Sequence, residues 1–318
     1  MRIVAPLFES DEKQRVKAGG KGAWLSRLHH AGFRVPTGFV LTSDAYSLAV
    51  CNSGLDKIIA VELERIADYE DVASVSNASK RIGEYFYGMV VPEQVSNELC
   101  REFDSLEAEF VAVRSSASME DGEKASWAGQ LETKLNTSRD ELIDSVRACW
   151  ASLYSTRALS YCHNGGFNIH DCSVGLVIQE MVNSDVSGIA FSVHPVTNDA
   201  DKVVIEAGFG LGEAVVSGAI TPDTYVFSKS AKGLTEKHVG NQRKKLVRTV
   251  QGKTDWVELP AESARQQKLS DATLEEVANT VIEIESTFEI PVDVEWAVED
   301  GTLHILQSRP ITTLGGQG

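Results

Sequence analysis

Val292-Asp293-Val294-Glu295-Trp296-Ala297-Val298-Glu299-Asp300-Gly301-Thr302-Leu303-His304-Ile305-Leu306-Gln307-Ser308-Arg309 is the stretch whose reading decides the fold. Val292, Val294, Trp296 and Val298 alternate with Asp293 and Glu295, so this strand has one apolar and one acidic face. Asp300 and Gly301 are turn residues, and a second strand resumes over 302–307. Gln307 and Arg309 share a face of that second strand. Carboxylate and amide oxygens are hard ligands that suit Mg²⁺ bridging phosphates, provided the two faces coincide. A two-residue Asp300-Gly301 loop pairs Glu295 with Leu306 and sends Gln307 to the other side. A three-residue loop, Glu299-Asp300-Gly301, with Gly301 left-handed, pairs Glu295 with Ile305 and lets Asp293, Glu295, Gln307 and Arg309 converge. The three-residue loop is the prediction. Glu295 and Gln307 on opposite faces would remove the metal reading, leaving an amphipathic hairpin with a solvated acidic face.

Working outward, the 318 residues suffice for one large domain or two linked subdomains. The net charge of −16 makes the chain as a whole repel a polyanion such as nucleic acid. No apolar run approaches the roughly 20 residues of a membrane span, and the start is too soon interrupted by acids for a secretory signal. Five cysteines, an odd number with no Cys-x-x-Cys pair, argue against a disulfide framework or a thiolate metal site. A cytoplasmic protein with reduced thiols is expected. The seven histidines have no metal spacing, and neither a Gly-x-Ser-x-Gly elbow nor a His-Glu-x-x-His helix occurs.

The elements alternate. A helix is predicted over 22–30, with Ala23, Leu25, Leu28 and Ala31 near its inner face, then a strand over 38–42. Ser43 is a cap for a helix over 44–51. Residues 56–105 read as helical, interrupted by a polar loop around 71–77. Phe110 to Arg114 reads as a short strand. Ser138 with Glu141 suggests a capping box ahead of Leu142, Val146, Cys149, Trp150 and Leu153 at helical spacing. Strands are expected over 174–182 and 203–207, a helix through Leu274 to Phe288, and a disordered tail over 315–318. Mixed elements of this kind imply α+β or α/β architecture with a seam near 183–190.

Two further segments carry chemistry. Gly19-Gly20-Lys21-Gly22 opens the first helix, where unpaired N–H groups and a positive dipole end suit an anion. The Walker spacing is absent, and a glycine turn with a surface lysine is the plain alternative. Val113-Arg114-Ser115-Ser116-Ala117-Ser118 places an arginine at a strand end, and Ala125-Ser126-Trp127-Ala128-Gly129-Gln130 with Thr133 forms a polar turn. Such a loop can fold over phosphates while a guanidinium grips oxygens; an ordinary surface loop has the same composition. Gly208-Phe209-Gly210-Leu211-Gly212-Glu213 has the wrong spacing for a dinucleotide fingerprint and reads as a tight strand-to-helix turn.

Together with Cys149 to Tyr154, Val177 to Val182, Gly210 to Gly218 and Leu306 to Pro310, these motifs resemble the nucleotide-binding domain of phosphoenolpyruvate synthase, pyruvate phosphate dikinase and rifampicin phosphotransferase. The resemblance runs in order over residues 2–314. It implies an α+β, ATP-grasp fold in which two subdomains, 1–183 and 184–314, clamp ATP. It assigns Lys21 and Arg114 to the phosphates, the loop Gly129 to Thr133 to a lid, and Gln179, Glu180, Met181 and Val182 to the adenine pocket. Glu295 and Gln307 would hold Mg²⁺, with Asp293 nearby, and Arg309 would neutralise the transferred group.

In that family the β-phosphoryl group of ATP passes to a histidine on a separate swivelling domain, leaving AMP. No Gly-Gly-x-x-Ser/Thr-His loop occurs in this sequence. The expected function is therefore a phosphotransferase component that needs a phosphohistidine-carrying domain supplied in trans or by further chain. A direct small-molecule kinase and a non-catalytic ATP-sensing module are the rivals. Asp121-Gly122-Glu123-Lys124 departs from the acidic-Leu-Pro of many relatives. The final acceptor, be it pyruvate, an antibiotic, a phenol or another metabolite, is not written in these residues.

Overall fold

The structure, a computed structural model, describes residues 2–8, 18–117, 131–169 and 172–311. It is α+β and divides into two compact units. One comprises Met1–Ser26 and Thr37–Met181, the other Arg27–Pro36 and Val182–Gly318. Residues 27–36 thus belong with the second unit, an excursion that a single boundary at 183 does not contain. The tail 315–318 lies outside the described residues, as do Asp121 to Lys124.

In chain order the first unit holds β1 (Val4–Pro6), the start of α1 (Gly19–His30), β2 (Gly38–Leu41), α2 (Ser43–Ser53), α3 (Leu55–Glu64), α4 (Val72–Gly88) and α5 (Glu93–Ser105). Then come β3 (Val111–Ala117), β4 (Thr133–Thr137), α6 (Leu142–Ala151), α7 (Thr156–Asn164) and β5 (Val174–Glu180). The strands form one antiparallel sheet in the order β1-β2-β5-β3-β4. β5 lies at its centre and is buried from Val174 to Gln179, as expected for an apolar run flanked on both sides. Helices α2 to α7 supply the core. α4 buries Val75, Ala78, Ile82 and Phe86, one stripe at helical spacing. Around the buried Trp150, the hydroxyls of Tyr46 and Tyr154 share a 2.7 Å hydrogen bond.

Four local expectations are corrected here. The loop predicted at 71–77 is the first turns of α4, and Asp71 caps it by accepting from the Ala73 N–H at 3.1 Å. Ser74, Ser76 and Asn77 belong to the outer part of an amphipathic helix, where polarity means solvent rather than irregular backbone. Ser43 lies inside α2, and the cap position is Thr42, whose hydroxyl donates to the Arg2 carbonyl at 2.6 Å instead of capping. Only half of the box at Ser138 forms: the Glu141 carboxylate accepts from the Ser138 N–H at 3.3 Å and from its hydroxyl at 2.8 Å. In α1, Leu25 and Leu28 are buried as expected, but Ala31 is exposed beyond the helix end and Trp24 takes a buried place.

The second unit contains β6 (Val186–Phe191), β7 (Lys202–Phe209), α8 (Glu213–Val216), β8 (Asp223–Ser228), β9 (Gly233–His238), β10 (Lys244–Arg248), β11 (Thr254–Glu258), α9 (Asp271–Phe288), β12 (Val292–Glu299) and β13 (Thr302–Pro310). Six strands form an antiparallel sheet in the order β13-β12-β6-β7-β8-β9, while β10 and β11 pair as a separate hairpin. α9 starts at Ser270, whose hydroxyl accepts from the Thr273 N–H at 3.1 Å. Its buried stripe of Leu274, Val277, Ala278, Val281 and Ile284 packs on β6, β7 and β12. The free edge of β13 is covered by the excursion, where the Ile305 N–H donates to the Arg34 carbonyl at 2.8 Å.

A fully buried ion pair ties the segments that follow β9 back to the sheet. The Lys268 ammonium lies 2.9 Å from the Asp223 carboxylate, and neither side chain is exposed. Asp223 also accepts from the Tyr225 hydroxyl at 2.7 Å and from the N–H groups of Gly240 and Lys268 at 2.8 Å each. A carboxylate this well supplied tolerates burial, but removing it strands a buried ammonium. Asp223→Ala is expected to lower unfolding stability by about 3–5 kcal/mol, and Asp223→Leu with Lys268→Met to recover most of that loss. Urea denaturation of the three proteins checks both statements.

Candidate functional site

The hairpin β12–β13 brings the predicted metal ligands together, by a route other than the expected one. Glu299 pairs with Thr302, so the loop is the two residues Asp300 and Gly301. Their φ values of +48° and +74° are those of the Asp-Gly turn that matches strand twist. The predicted three-residue loop and the pairing of Glu295 with Ile305 are therefore incorrect. Ile305 pairs with Trp296, and Glu295 pairs with Gln307. Leu306 is the extra residue of a β-bulge between these two pairs. One inserted residue reverses the alternation of β13, so Gln307 and Arg309 share the face of Glu295 and Asp293. The apolar face keeps Val292, Val294, Trp296, Leu303 and Ile305, all buried.

Electrostatics follow from this register. Asp293 pairs with Arg309, whose Nε donates to the carboxylate at 2.6 Å. Burial pushes the Asp293 carboxyl up to about 6, against the pull of the Arg309 charge. Gln307 is only 7% exposed. Glu295 and Gln307 are direct cross-strand neighbours on one face, with side chains about 5 Å apart at their bases. An oxygen pair at that spacing fits a hard divalent cation that takes its other ligands from water and phosphate. Among the described residues no group of three or more His, Cys, Asp or Glu could hold a metal; Gln307, an amide, falls outside that class of ligand.

The remaining described candidates lie in the first unit, except Val182, which opens the second and is buried. Lys21 sits in the first turn of α1, and its ammonium donates to the Ser115 carbonyl at 2.6 Å. Gly19 takes a φ of +70° against Ser116, where a Cβ would collide with the Ser116 carbonyl. Gly19 thus permits the close approach that places Lys21 beside β3. Next along β3, the Arg114 Nη1 donates to the Gln179 side-chain oxygen at 3.3 Å. Thr133 of β4 stands opposite Arg114 in the ladder. Lys21, Arg114, Thr133 and Gln179 are therefore one neighbourhood. Glu180 is exposed and Met181 half-buried. Gly129 lies outside the described residues.

One residue on the acidic face was missed. Glu206 of β7 lies opposite Ile189 of β6, and Ile189 lies opposite Glu295. Glu206 thus shares the face of Glu295 two strands away, and burial raises its carboxyl above the usual range. A single acid inside the apolar run Val203-Val204-Ile205-Glu206-Ala207 was the available signal.

Comparison with known proteins identifies the family. Residues 16–317 match the family described as pyruvate phosphate dikinase, AMP/ATP-binding domain, and the chain belongs to that family. It is an ATP-binding domain of a phosphotransferase family, with an ATP-grasp type of α+β fold. A probable phosphoenolpyruvate synthase of Archaeoglobus fulgidus is 41% identical over 97% of this chain and 41% of its own length. One from Methanocaldococcus jannaschii is 39% identical over 99% of this chain and 27% of its own length. A rifampicin phosphotransferase of Streptomyces sviceus is 36% identical over 98% and 36%, respectively. The chain thus spans well under half the length of these relatives. Among the described residues, no helix is long and apolar enough to cross a membrane.

Arg309→Ala removes the charge that lies against a mostly buried Asp293. Because Arg309 is itself a third exposed, a loss of about 1–2 kcal/mol is expected, below the value for a fully buried pair. Arg309→Lys should restore part of it. Thermal and urea unfolding of both variants measure the difference.

Proposed function

We propose that this chain binds MgATP and passes its β-phosphoryl group to a histidine on a separate swivelling domain, releasing AMP. The observation that carries this reading is the pairing of Glu295 with Gln307 beside the Asp293–Arg309 pair, in a member of an AMP/ATP-binding domain family. In such a transfer a bond forms from an imidazole nitrogen to the β-phosphorus as the bond from that phosphorus to the oxygen retained by AMP breaks, which puts the β,γ-diphosphoryl unit on the histidine; attack of water or inorganic phosphate on the γ-phosphorus then breaks the β–γ bond and leaves the β-phosphoryl group on nitrogen. The protein's contribution is positioning and charge stabilisation.

In this reading Lys21 and Arg114 hold phosphate oxygens. The Ser115 carbonyl orients the Lys21 ammonium, and Gln179 orients the Arg114 guanidinium. Gln179 to Val182 line the adenine pocket, and Thr133, opposite Arg114 in the ladder, borders the phosphates. Glu295 and Gln307 hold Mg²⁺, which when bound offsets negative charge on the phosphate oxygens. Arg309, steadied by Asp293, faces the charge that develops on the transferred group. The acceptor histidine belongs to a partner domain, in keeping with relatives more than twice as long as this chain. A cytoplasmic setting fits ATP as the donor.

The test uses β-phosphoryl-labelled ATP, Mg²⁺ and the complete Archaeoglobus relative, with its own ATP-binding segment inactivated, as the source of the histidine. AMP and acid-labile label on that protein are expected. Glu295→Ala and Gln307→Ala should each slow labelling by roughly 10²–10³-fold. Formation of ADP in place of AMP, or ATP consumption that needs no second protein, would overturn the reading.

A further inference from the structure

Lys237, Arg243, Lys244, Lys245, Arg248 and Lys253 fall within residues 237–253, a stretch with no Asp or Glu in a chain of net charge −16. Lys237 lies near the end of β9 at the edge of the six-stranded sheet, and the residues after β9 build β10 and the turn into β11, a hairpin outside that sheet. Its root is fixed. The Leu211 N–H donates to the Leu246 carbonyl at 2.8 Å, and Gly210, at φ +87°, leaves no room for a Cβ beside that carbonyl. The Gln242 side chain accepts from the Phe209 N–H at 2.8 Å and donates to the Phe209 carbonyl at 2.9 Å. Basic charge is thus presented on a braced arm rather than on a loose loop.

The arm's two faces differ. Leu246 is buried, so its side of the hairpin is turned to the unit, and there the Lys244 ammonium lies 4.1 Å from the Trp256 ring centre. Arg243, Lys245 and Val247 alternate to the opposite face, with Val257 paired to Lys245. Among the described residues no carboxylate pairs with Arg243, Lys245 or Lys253. Val250 at the turn is fully exposed and Val257 is 44% exposed. Cations without a carboxylate partner beside exposed apolar side chains form a surface complementary to an acidic face.

We propose that this arm docks an acidic face of the protein domain that accepts the phosphoryl group. The proposal rests on the function proposed above for its choice of partner. A nucleic acid would bring uniform negative charge against a chain of net −16. A small nucleotide has no use for the exposed valines. A folded partner needs only a local acidic patch as long as the five-residue strand β10, about 17 Å. Charge-led contact also speeds encounter without fixing a long-lived complex, which suits a carrier that must arrive and leave in each cycle.

The test measures binding and transfer separately, with the inactivated full-length Archaeoglobus relative as the probe. The variant is Arg243→Glu with Lys245→Glu, neither residue having a part in nucleotide binding. Dissociation constants are measured by calorimetry at low and moderate salt, alongside ATP affinity. The expected result is binding weakened about tenfold or more in the variant, a salt dependence flattened relative to wild type, and ATP affinity unchanged. Arm-dependent binding without labelling would uphold the docking and count against the transfer reading. Labelling with equal affinity for both proteins would overturn the docking alone. Absence of binding by the wild type, or tighter arm-dependent binding of polyadenylate than of the protein probe, would also overturn it.

Discussion

One inserted residue governs the second unit. Side chains of a strand alternate strictly, so a hairpin closed by two residues would place Gln307 and Arg309 on the side of Trp296. Leu306 absorbs that mismatch as a bulge, and everything beyond it changes face. Asp293 meets Arg309, Glu295 meets Gln307, and the core still receives Ile305 and Leu303. A shared polar face and apolar packing are thereby both accommodated within one pair of strands, and the tight Asp-Gly turn is kept.

This explains why the site was more legible than its construction. The alternation of Val292 to Val298 is visible in sequence, and so is the chemistry of Glu295, Gln307 and Arg309. A bulge in β13 has no comparable mark: Leu306 is an ordinary strand residue, and the same convergence could be drawn with a longer turn. The helical periods of α6 and α9 were likewise readable, because burial imposes their spacing, whereas the polar start of α4 read as a loop. Their boundaries were not. Asp71 serves as a cap through a local contact inside a polar run, while Thr42 bonds to the chain start, a choice made by a neighbour distant in sequence. Glu206 was overlooked because a lone acid in an apolar strand acquires meaning only when the sheet order places it in line with Glu295.

In the first unit the Lys21 ammonium donates to the Ser115 carbonyl and the Arg114 guanidinium to the Gln179 amide oxygen. Dipoles of this kind orient a cation. Gly19 at the start of α1 makes that arrangement sterically feasible, seated against Ser116 of β3.

The path of the chain has a genetic consequence. The polypeptide passes from the first unit to the second within α1, returns before β2, and passes again after Met181. No single stop or start codon can therefore separate the two units intact. A fragment beginning at Val182 would lack residues 27–36 and leave the backbone of β13 uncovered at Ile305, an open strand edge of the kind that recruits other chains. Recombination between related genes would preserve both units only if it exchanged the segment whole, so the two units are inherited as one cassette.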